Sequence, residues 1–135
     1  MNQENLRLVE QVAAFQTSHE IDKLVALFAE DICFEDVALG IVASGHASVK
    51  ELFESIYASM PDYTMTLVSA VTDEDRGGAE WLMSGTHLGD FPGLPASGKS
   101  FSLRAAAVMR FSTGRISHWT DYWSVSTFKE QVGLA

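Results

Sequence analysis

Apolar residues in the first part of the chain recur at helical spacing. The first predicted helix covers residues 4–18, and its apolar stripe consists of Leu8, Val9, Val12, Ala13 and Phe15. Ser18 is a plausible N-cap for a second helix over residues 20–31, whose stripe consists of Ile21, Leu24, Val25 and Phe28. A short strand over residues 32–36 follows. A third helix is predicted over residues 47–60, ends before Pro61 and carries Val49, Leu52, Phe53 and Ile56.

After Pro61 the apolar period changes from helical to two, which predicts strands. The strands are expected over residues 63–71, 78–89, 99–111 and 114–125, with a short terminal helix over residues 126–134. Turn residues cluster between them in DEDRGG, GDFPGLPASG and STG. Helices followed by a long meander of strands favour an α+β fold of one domain. We expect a curved, mostly antiparallel sheet wrapped over the helices, with a cup between them.

Composition narrows the class of protein. The chain has 135 residues, 47% of them apolar and 20% charged, which is typical of one folded domain. Its formal net charge of −9, with no cluster of basic residues, argues against nucleic acid and anionic membranes as partners. No apolar run is long enough to span a membrane, and no secretory signal is recognisable. Cys33 is the only cysteine, so we expect a cytoplasmic protein without an internal disulfide.

One nucleotide-binding motif occurs and is rejected. GLPASGKS, residues 93–100, matches the phosphate-loop pattern in full. A phosphate loop must open into a helix whose amides hold the phosphates, but here the following residues alternate as a strand. Pro95 also removes one of the amides that such a loop uses. We therefore interpret this stretch as a long hairpin loop.

The last strand carries the main candidate for chemistry. Trp119, Asp121 and Trp123 share one face of it, and Asp36 ends the first strand. If that face lines the cup, burial raises the pKa of Asp121, and the carboxyl group can then act as an acid or base near neutral pH. The alternative is that this face lies outside and is covered by a second subunit. His118 is three residues from Asp121, so a regular strand points their side chains to opposite faces. The two side chains share a face only if a bulge lies between them.

The histidines give little support for a metal site. His19 and His46 fall in predicted turns, and His87 and His118 fall in predicted strands. No paired histidines and no carboxylate cluster at ligand spacing occur, so neither a metal nor another cofactor is expected. Tyr63 and Met83 are expected in the core or in the wall of the cup.

The order of these elements and several motifs resemble the SnoaL-like family of the nuclear-transport-factor-two-like superfamily, which includes polyketide cyclases, ketosteroid isomerases and limonene-epoxide hydrolases. The resembling stretches are DKLVALFAEDICFEDVALG, SGHASVKELFESIY, GTHLGDFPGLPASGKSFSLRAAAVMRF and GRISHWTDYWSVSTFKEQVGL. The resemblance implies a cone of about three helices on a curved sheet, a pocket and a homodimer. It also implies that Asp121 is the acid/base of an intramolecular aldol closure, and that Asp36 matches the proton carrier of the isomerases.

Two departures count against steroid isomerisation and epoxide hydrolysis. The isomerase's hydrogen-bond donors fall near Val12 and Ala107, neither of which can donate from its side chain. Arg104 is followed two positions later by Ala106 rather than by the aspartate of the hydrolases.

The leading hypothesis is a cofactor-independent enzyme acting on a hydrophobic carbonyl compound, of the cyclase, isomerase or lyase type. Asp121, Asp36 and His118 are its candidate catalytic residues. The candidate substrate-binding residues are Phe15, Tyr57, Met83, His87, Trp119 and Trp123. The alternative hypothesis is a non-catalytic ligand-binding or dimerisation module of the same fold.

Overall fold

A computed structural model describes residues 1–134, which form four helices and six strands. The helices are α1 (Gln3–Ser18), α2 (Ile21–Val25), α3 (Gly45–Ser59) and α4 (Val125–Val132). The strands are β1 (Phe28–Asp36), β2 (Ile41–Ser44), β3 (Thr64–Thr72), β4 (Arg76–Thr86), β5 (Ser100–Ser112) and β6 (Arg115–Trp123). Within this part of the chain no helix combines the length and apolar character that a membrane crossing requires.

The strands form one sheet in the order β2-β1-β6-β5-β4-β3. All neighbours are antiparallel except β1 and β6, which run parallel although they lie far apart in the sequence. Helix α1 packs on β3, and α3 packs on β1. The predicted α+β class, with helices on a curved and mostly antiparallel sheet, is confirmed.

Strand β5 separates the two faces of the sheet most clearly. Every second residue along it is buried on the inner face, from Phe101 to Phe111, and the intervening residues are exposed. Ala105 and Ala107 lie at the middle of that inner face, opposite Trp123 and Asp121 of β6. Because alanine side chains are short, they leave space in front of the residues that β6 presents at the same level.

The predicted second helix is wrong beyond residue 25. Helix α2 is only five residues long, and Phe28 already belongs to β1. Phe28 follows Leu24 and Val25 of α2 by four and three residues, and all three are buried. The first buried residue of the strand therefore continues the helical spacing of the preceding helix in the sequence.

Two local predictions also differ from the structure. Ser18 is the last residue of α1 rather than a cap, and its hydroxyl donates to Glu20 and to the carbonyl of Phe15. His19 ends α1 in the left-handed conformation, with φ of 59°. The short strand β2 was not predicted, because the apolar Val42 occupies an exposed position and the four residues show no alternation of apolar and polar side chains.

Candidate functional site

A narrow cavity of about 60 Å³ opens between α3 and the inner face of the sheet. A site of this size holds a few water molecules or part of a small ligand, since one water needs about 10–15 Å³ on the same scale. Its wall is mostly apolar and includes Phe34, Leu52, Phe53, Ile56, Met60, Phe101 and Phe128. The polar side chains among its lining residues are few, namely Gln16, Asp36, Tyr63, His87 and Asp121. Cavities of this composition are typical of small-molecule sites.

Asp121 lies on the inner face of β6 and lines this cavity. The side chain is partly buried. Its Oδ1 accepts a hydrogen bond of 2.8 Å from Nε1 of Trp119, two residues earlier on the same strand. Within residues 1–134 its Oδ2 has no hydrogen-bond donor, so this oxygen is free to meet a ligand.

Asp36 lies at the end of β1, directly beside Asp121 in the parallel β1–β6 pairing. Both of its carboxylate oxygens are engaged: Oδ1 accepts from the backbone amide of Leu39 at 3.0 Å, and Oδ2 accepts from Nε1 of Trp123 at 2.9 Å. Asp36 is therefore held in place more firmly than Asp121 and has less freedom to exchange a proton with a ligand.

The cavity shifts the proton affinity of both carboxyl groups upward. Burial raises the pKa of Asp121 to about 8, against the hydrogen bond from Trp119 and with a further increase from the charge of Asp36. Burial also raises the pKa of Asp36, while hydrogen bonds from Trp123 and from the backbone of Leu39 oppose the shift. Near neutral pH Asp121 therefore keeps a proton that an exposed carboxyl group releases.

Tyr63 lines the same cavity as the two aspartates, and its phenol is a third group there that can ionise. Its side chain is buried, and burial together with the charges of Asp121, Tyr57 and Asp36 raises the pKa of Tyr63 well above its usual value. Its phenol is therefore neutral and can donate a hydrogen bond. No acceptor for its hydroxyl occurs within residues 1–134. The sequence indicated Tyr63 only as core or wall, because alternation places a residue on a face without revealing its partners.

Gln16 is a lining residue that the sequence analysis missed. It is buried on α1, where it continues the stripe of Val9, Val12 and Ala13 at helical spacing. A polar residue on an otherwise apolar helical stripe was the available signal for it.

Among the residues predicted to bind substrate, Trp123, Met83 and His87 line the cavity. Trp119 lies behind it, fully buried and stacked on Trp81 with ring centroids 5.5 Å apart. Trp119 therefore contacts the site only through its hydrogen bond to Asp121.

The structure places three other predicted residues outside the cavity lining. Tyr57 stacks on His19 at 3.9 Å and donates its hydroxyl to the carbonyl of Gln16. Phe15 lies beneath Lys23, whose Nζ is 5.9 Å from the ring centroid.

His118 is exposed on the outer face of the sheet. Strand β6 runs without a bulge between His118 and Asp121, so their side chains point to opposite faces. His118 is therefore not brought to Asp121.

Among the described residues no group of three or more histidine, cysteine or acidic side chains is arranged to hold a metal ion. In the two hydrogen-bonded pairs of tryptophan and aspartate, one carboxylate oxygen, Oδ2 of Asp121, has no donor within residues 1–134.

Replacing Asp121 with asparagine is expected to raise the free energy of unfolding at neutral and alkaline pH. The folded protein keeps the Asp121 proton up to about pH 8, whereas the unfolded chain releases it near pH 4. Between these values the unfolded state binds fewer protons, so the wild-type protein loses stability as the pH rises. The advantage of Asp121→Asn should grow across this window to the order of a few kcal/mol and then level off.

Urea denaturation of both proteins at a series of pH values measures this difference. Asp31→Asn, which changes an exposed carboxyl on β1, serves as the matched control and should show no such growth. A wild-type protein whose stability relative to Asp121→Asn does not change between pH 4 and pH 8 would contradict the raised pKa.

Comparison with known proteins assigns this chain to a family. The profile of the SnoaL-like polyketide cyclase family matches residues 6–132. The cyclase aurE of Calcarisporium arbuscula is 26% identical over 73 residues, and the matched stretch covers 54% of this chain and 54% of that protein, so the chain matches about half the length of this relative.

Solved structures agree on the fold. A candidate polyketide cyclase from Pseudomonas putida KT2440 has a TM-score of 0.81 and 26% identity, with 92% of this chain and 94% of that chain covered. A protein of ketosteroid isomerase-like fold from Catenulispora acidiphila, solved with trimethylamine, has a TM-score of 0.84 and 24% identity, with 95% and 93% covered. The family match spans nearly the whole chain, and the chain belongs to the SnoaL-like polyketide cyclase family.

Proposed function

We propose that this protein is an enzyme that moves a proton at the carbon next to a carbonyl group in a hydrophobic small molecule, with Asp121 as the acid/base. The observation that carries the proposal is a carboxyl group in an apolar cavity with one free oxygen and a pKa of about 8. General acid–base catalysis is most efficient when the pKa of the catalytic group lies near the working pH.

The reaction begins when the free oxygen of Asp121 removes the proton. The C–H bond breaks, the proton moves to the carboxylate, and the electron pair forms an enolate. In a cyclase the enolate carbon then attacks a second carbonyl of the same molecule, and the protonated Asp121 returns its proton to the new alkoxide. In an isomerase or lyase the same proton returns at another carbon or leaves with a departing hydroxide as water. In this scheme protein side chains supply and accept every proton that moves.

Asp36 and Tyr63 assist in different ways. Asp36 keeps both oxygens engaged, so its part is to raise the proton affinity of Asp121 through its charge. Tyr63 keeps its proton and is expected to donate a hydrogen bond to the enolate oxygen. Donors that point at developing negative charge in a dry site often contribute more to the rate than the base does.

The alternative function is a ligand-binding module without chemistry. The observation that favours it is the narrowness of the cavity, whose wall consists mainly of phenylalanine, leucine, isoleucine and methionine side chains. The two functions differ in one measurable property, which is proton exchange on a bound ketone.

Exchange of hydrogen for deuterium at the α carbon of a panel of aryl ketones, followed by NMR in D₂O, tests the enzyme directly. The wild-type rate should increase with pH and level off above about pH 8, because the ionised form of Asp121 is the base. Asp121→Asn should lower the rate by about 10²–10⁴-fold. Asp31→Asn, at an exposed carboxyl, should leave it unchanged. Equal rates for Asp121→Asn and the wild type would exclude Asp121 as the base.

Tyr63→Phe is expected to reduce exchange by about 10²–10³-fold with little change in stability, since its hydroxyl has no acceptor within residues 1–134. The matched control is Tyr57→Phe, which removes a hydrogen bond to Gln16 at 2.9 Å. That control should cost about 1 kcal/mol of stability and leave the exchange rate within a few-fold of the wild type. The reverse pattern, with rate loss in Tyr57→Phe alone, would contradict the role of Tyr63.

The homodimer implied by family resemblance belongs to the proposal as well. The outer face of the sheet exposes Val42, Leu82, Val108 and Tyr122 on four strands, and a second copy is the partner we expect there. Val108→Glu should shift the protein toward the monomer in sedimentation equilibrium, because it places a charge in the centre of that face. Leu88→Glu, at an equally exposed leucine in the loop after β4, is the matched control. A wild-type monomer would exclude this interface.

A further inference from the structure

His87 is a buried polar residue that the proposed proton transfer does not use. Its side chain is fully buried and lines the cavity. Its Nε2 has no hydrogen-bond partner within residues 1–134, a property it shares only with Nε1 of Trp81 in that part of the chain. Trp81 does not line the cavity, so among residues 1–134 His87 alone combines a position in the cavity wall with a buried polar side-chain atom that has no partner.

The surroundings of His87 hold its imidazole in one orientation. Its backbone amide donates to the carbonyl of Lys99 at 2.9 Å, and its carbonyl accepts from the amide of Gly98 at 2.7 Å. Its Nδ1 lies 3.2 Å from Oγ of Ser97, and its ring meets the ring of Phe128 edge-on at 5.3 Å. Four of its contacts are therefore fixed, and Nε2 is the position left for a partner.

A chain of rings connects His87 to the two carboxyl groups. Phe128 contacts His87 on one side and Trp123 on the other, with centroids 6.0 Å apart, and Trp123 donates its indole hydrogen to Asp36. The same cavity thus has an acidic end at Asp36 and Asp121 and a second polar point at His87. Phe101, Leu94 and Phe91 line the same cavity, and Phe101 packs edge-on against Phe128, the ring that contacts His87.

We propose that Nε2 of His87 binds a hydroxyl group of the ligand, at the end of the molecule remote from the carbonyl that reacts at Asp121. The contact between Nδ1 and Ser97 permits either tautomer, so Nε2 either donates or accepts. A hydroxyl group satisfies both cases because it is donor and acceptor at once. The ligand class is therefore an elongated, largely apolar carbonyl compound with a hydroxyl group at its far end. Only the placement of the carbonyl rests on the proposed function.

Two probes that differ in one hydroxyl group test this inference by binding alone. Acetylnaphthalene carries the carbonyl only, and the acetylnaphthol with its hydroxyl on the remote ring carries both groups. The wild-type protein should bind the acetylnaphthol about three- to tenfold more tightly, the gain expected of one net hydrogen bond. Isothermal titration or fluorescence of the naphthalene ring gives both dissociation constants.

Variants assign the preference to one residue. His87→Phe keeps a buried ring but removes Nε2, so the two probes should bind it equally. His118→Phe changes an exposed histidine on the outer face and should keep the preference. Asp121→Asn should also bind the acetylnaphthol more tightly than acetylnaphthalene. The hydroxyl site can therefore be demonstrated in a protein that does not exchange α protons, and each proposal can fail without the other.

If His87→Phe does not fold, NMR spectroscopy of the wild-type protein tests the hydroxyl site. The ¹⁵N resonance of Nε2 of His87 should shift when acetylnaphthol binds and remain unchanged with acetylnaphthalene. Equal affinities of the wild type for the two probes, unchanged preference in His87→Phe, or an Nε2 resonance insensitive to the hydroxyl group would each overturn the proposal. Failure of both probes to bind would overturn the ligand class.

Discussion

The parallel pairing of β1 with β6 creates the site, because it sets Asp36 and Asp121 side by side at the ends of two strands that are far apart in the sequence. Each strand contributes one carboxyl group to the same apolar cavity, and each carboxylate receives an indole hydrogen, from Trp123 and Trp119 respectively. Without this pairing Asp36 would be a surface turn residue and Asp121 a solitary acid. With it, the charge of Asp36 adds to the effect of burial in raising the pKa of Asp121.

The pairing has an energetic cost that the remainder of the fold must offset. A carboxyl group transferred from water to an apolar wall loses hydration, and one hydrogen bond from an indole restores only part of it. The fully buried residues of the hydrophobic core, among them Phe28, Ile32, Ile116 and Trp81, supply compensating apolar burial. Strain of this kind is common at functional sites, where activity and stability make opposing demands on the same residues. The rise in pKa and the loss in stability are two descriptions of one free energy.

The sequence revealed the fold well where the apolar period was regular. Strand β5 alternates without interruption, and α1 and α3 carry continuous stripes, so their type and place were predictable. It was misleading at β1, where Phe28 follows Leu24 and Val25 of α2 at helical spacing although it belongs to a strand. Periodicity reports which face a residue occupies, and it becomes ambiguous where a strand is irregular.

The sequence predicted the site residues only where the alternation of side chains along a strand determines which face they occupy. Parity on β6 separated Asp121 from His118, and the structure has them on opposite faces. Parity could not reveal that Trp119 lies behind Asp121 while Trp123 lines the cavity, because that depends on the depth of each side chain along a curved sheet. Nor could it pair Asp36 with Asp121, since a parallel contact between distant strands leaves no local signal.

The hydrogen bond from Trp119 to Asp121 joins residues only two positions apart on one strand, whereas α3 and the loop between β4 and β5 supply much of the remaining cavity wall. The proton-transfer unit and the shape of the cavity are therefore encoded in separate segments of the chain. Substitutions in the loop or on α3 can alter which molecules fit while β6 keeps its acid in the same geometry. A scaffold divided in this way is suited to divergence, because new substrate ranges can arise by drift in one segment without rebuilding the reactive group in the other.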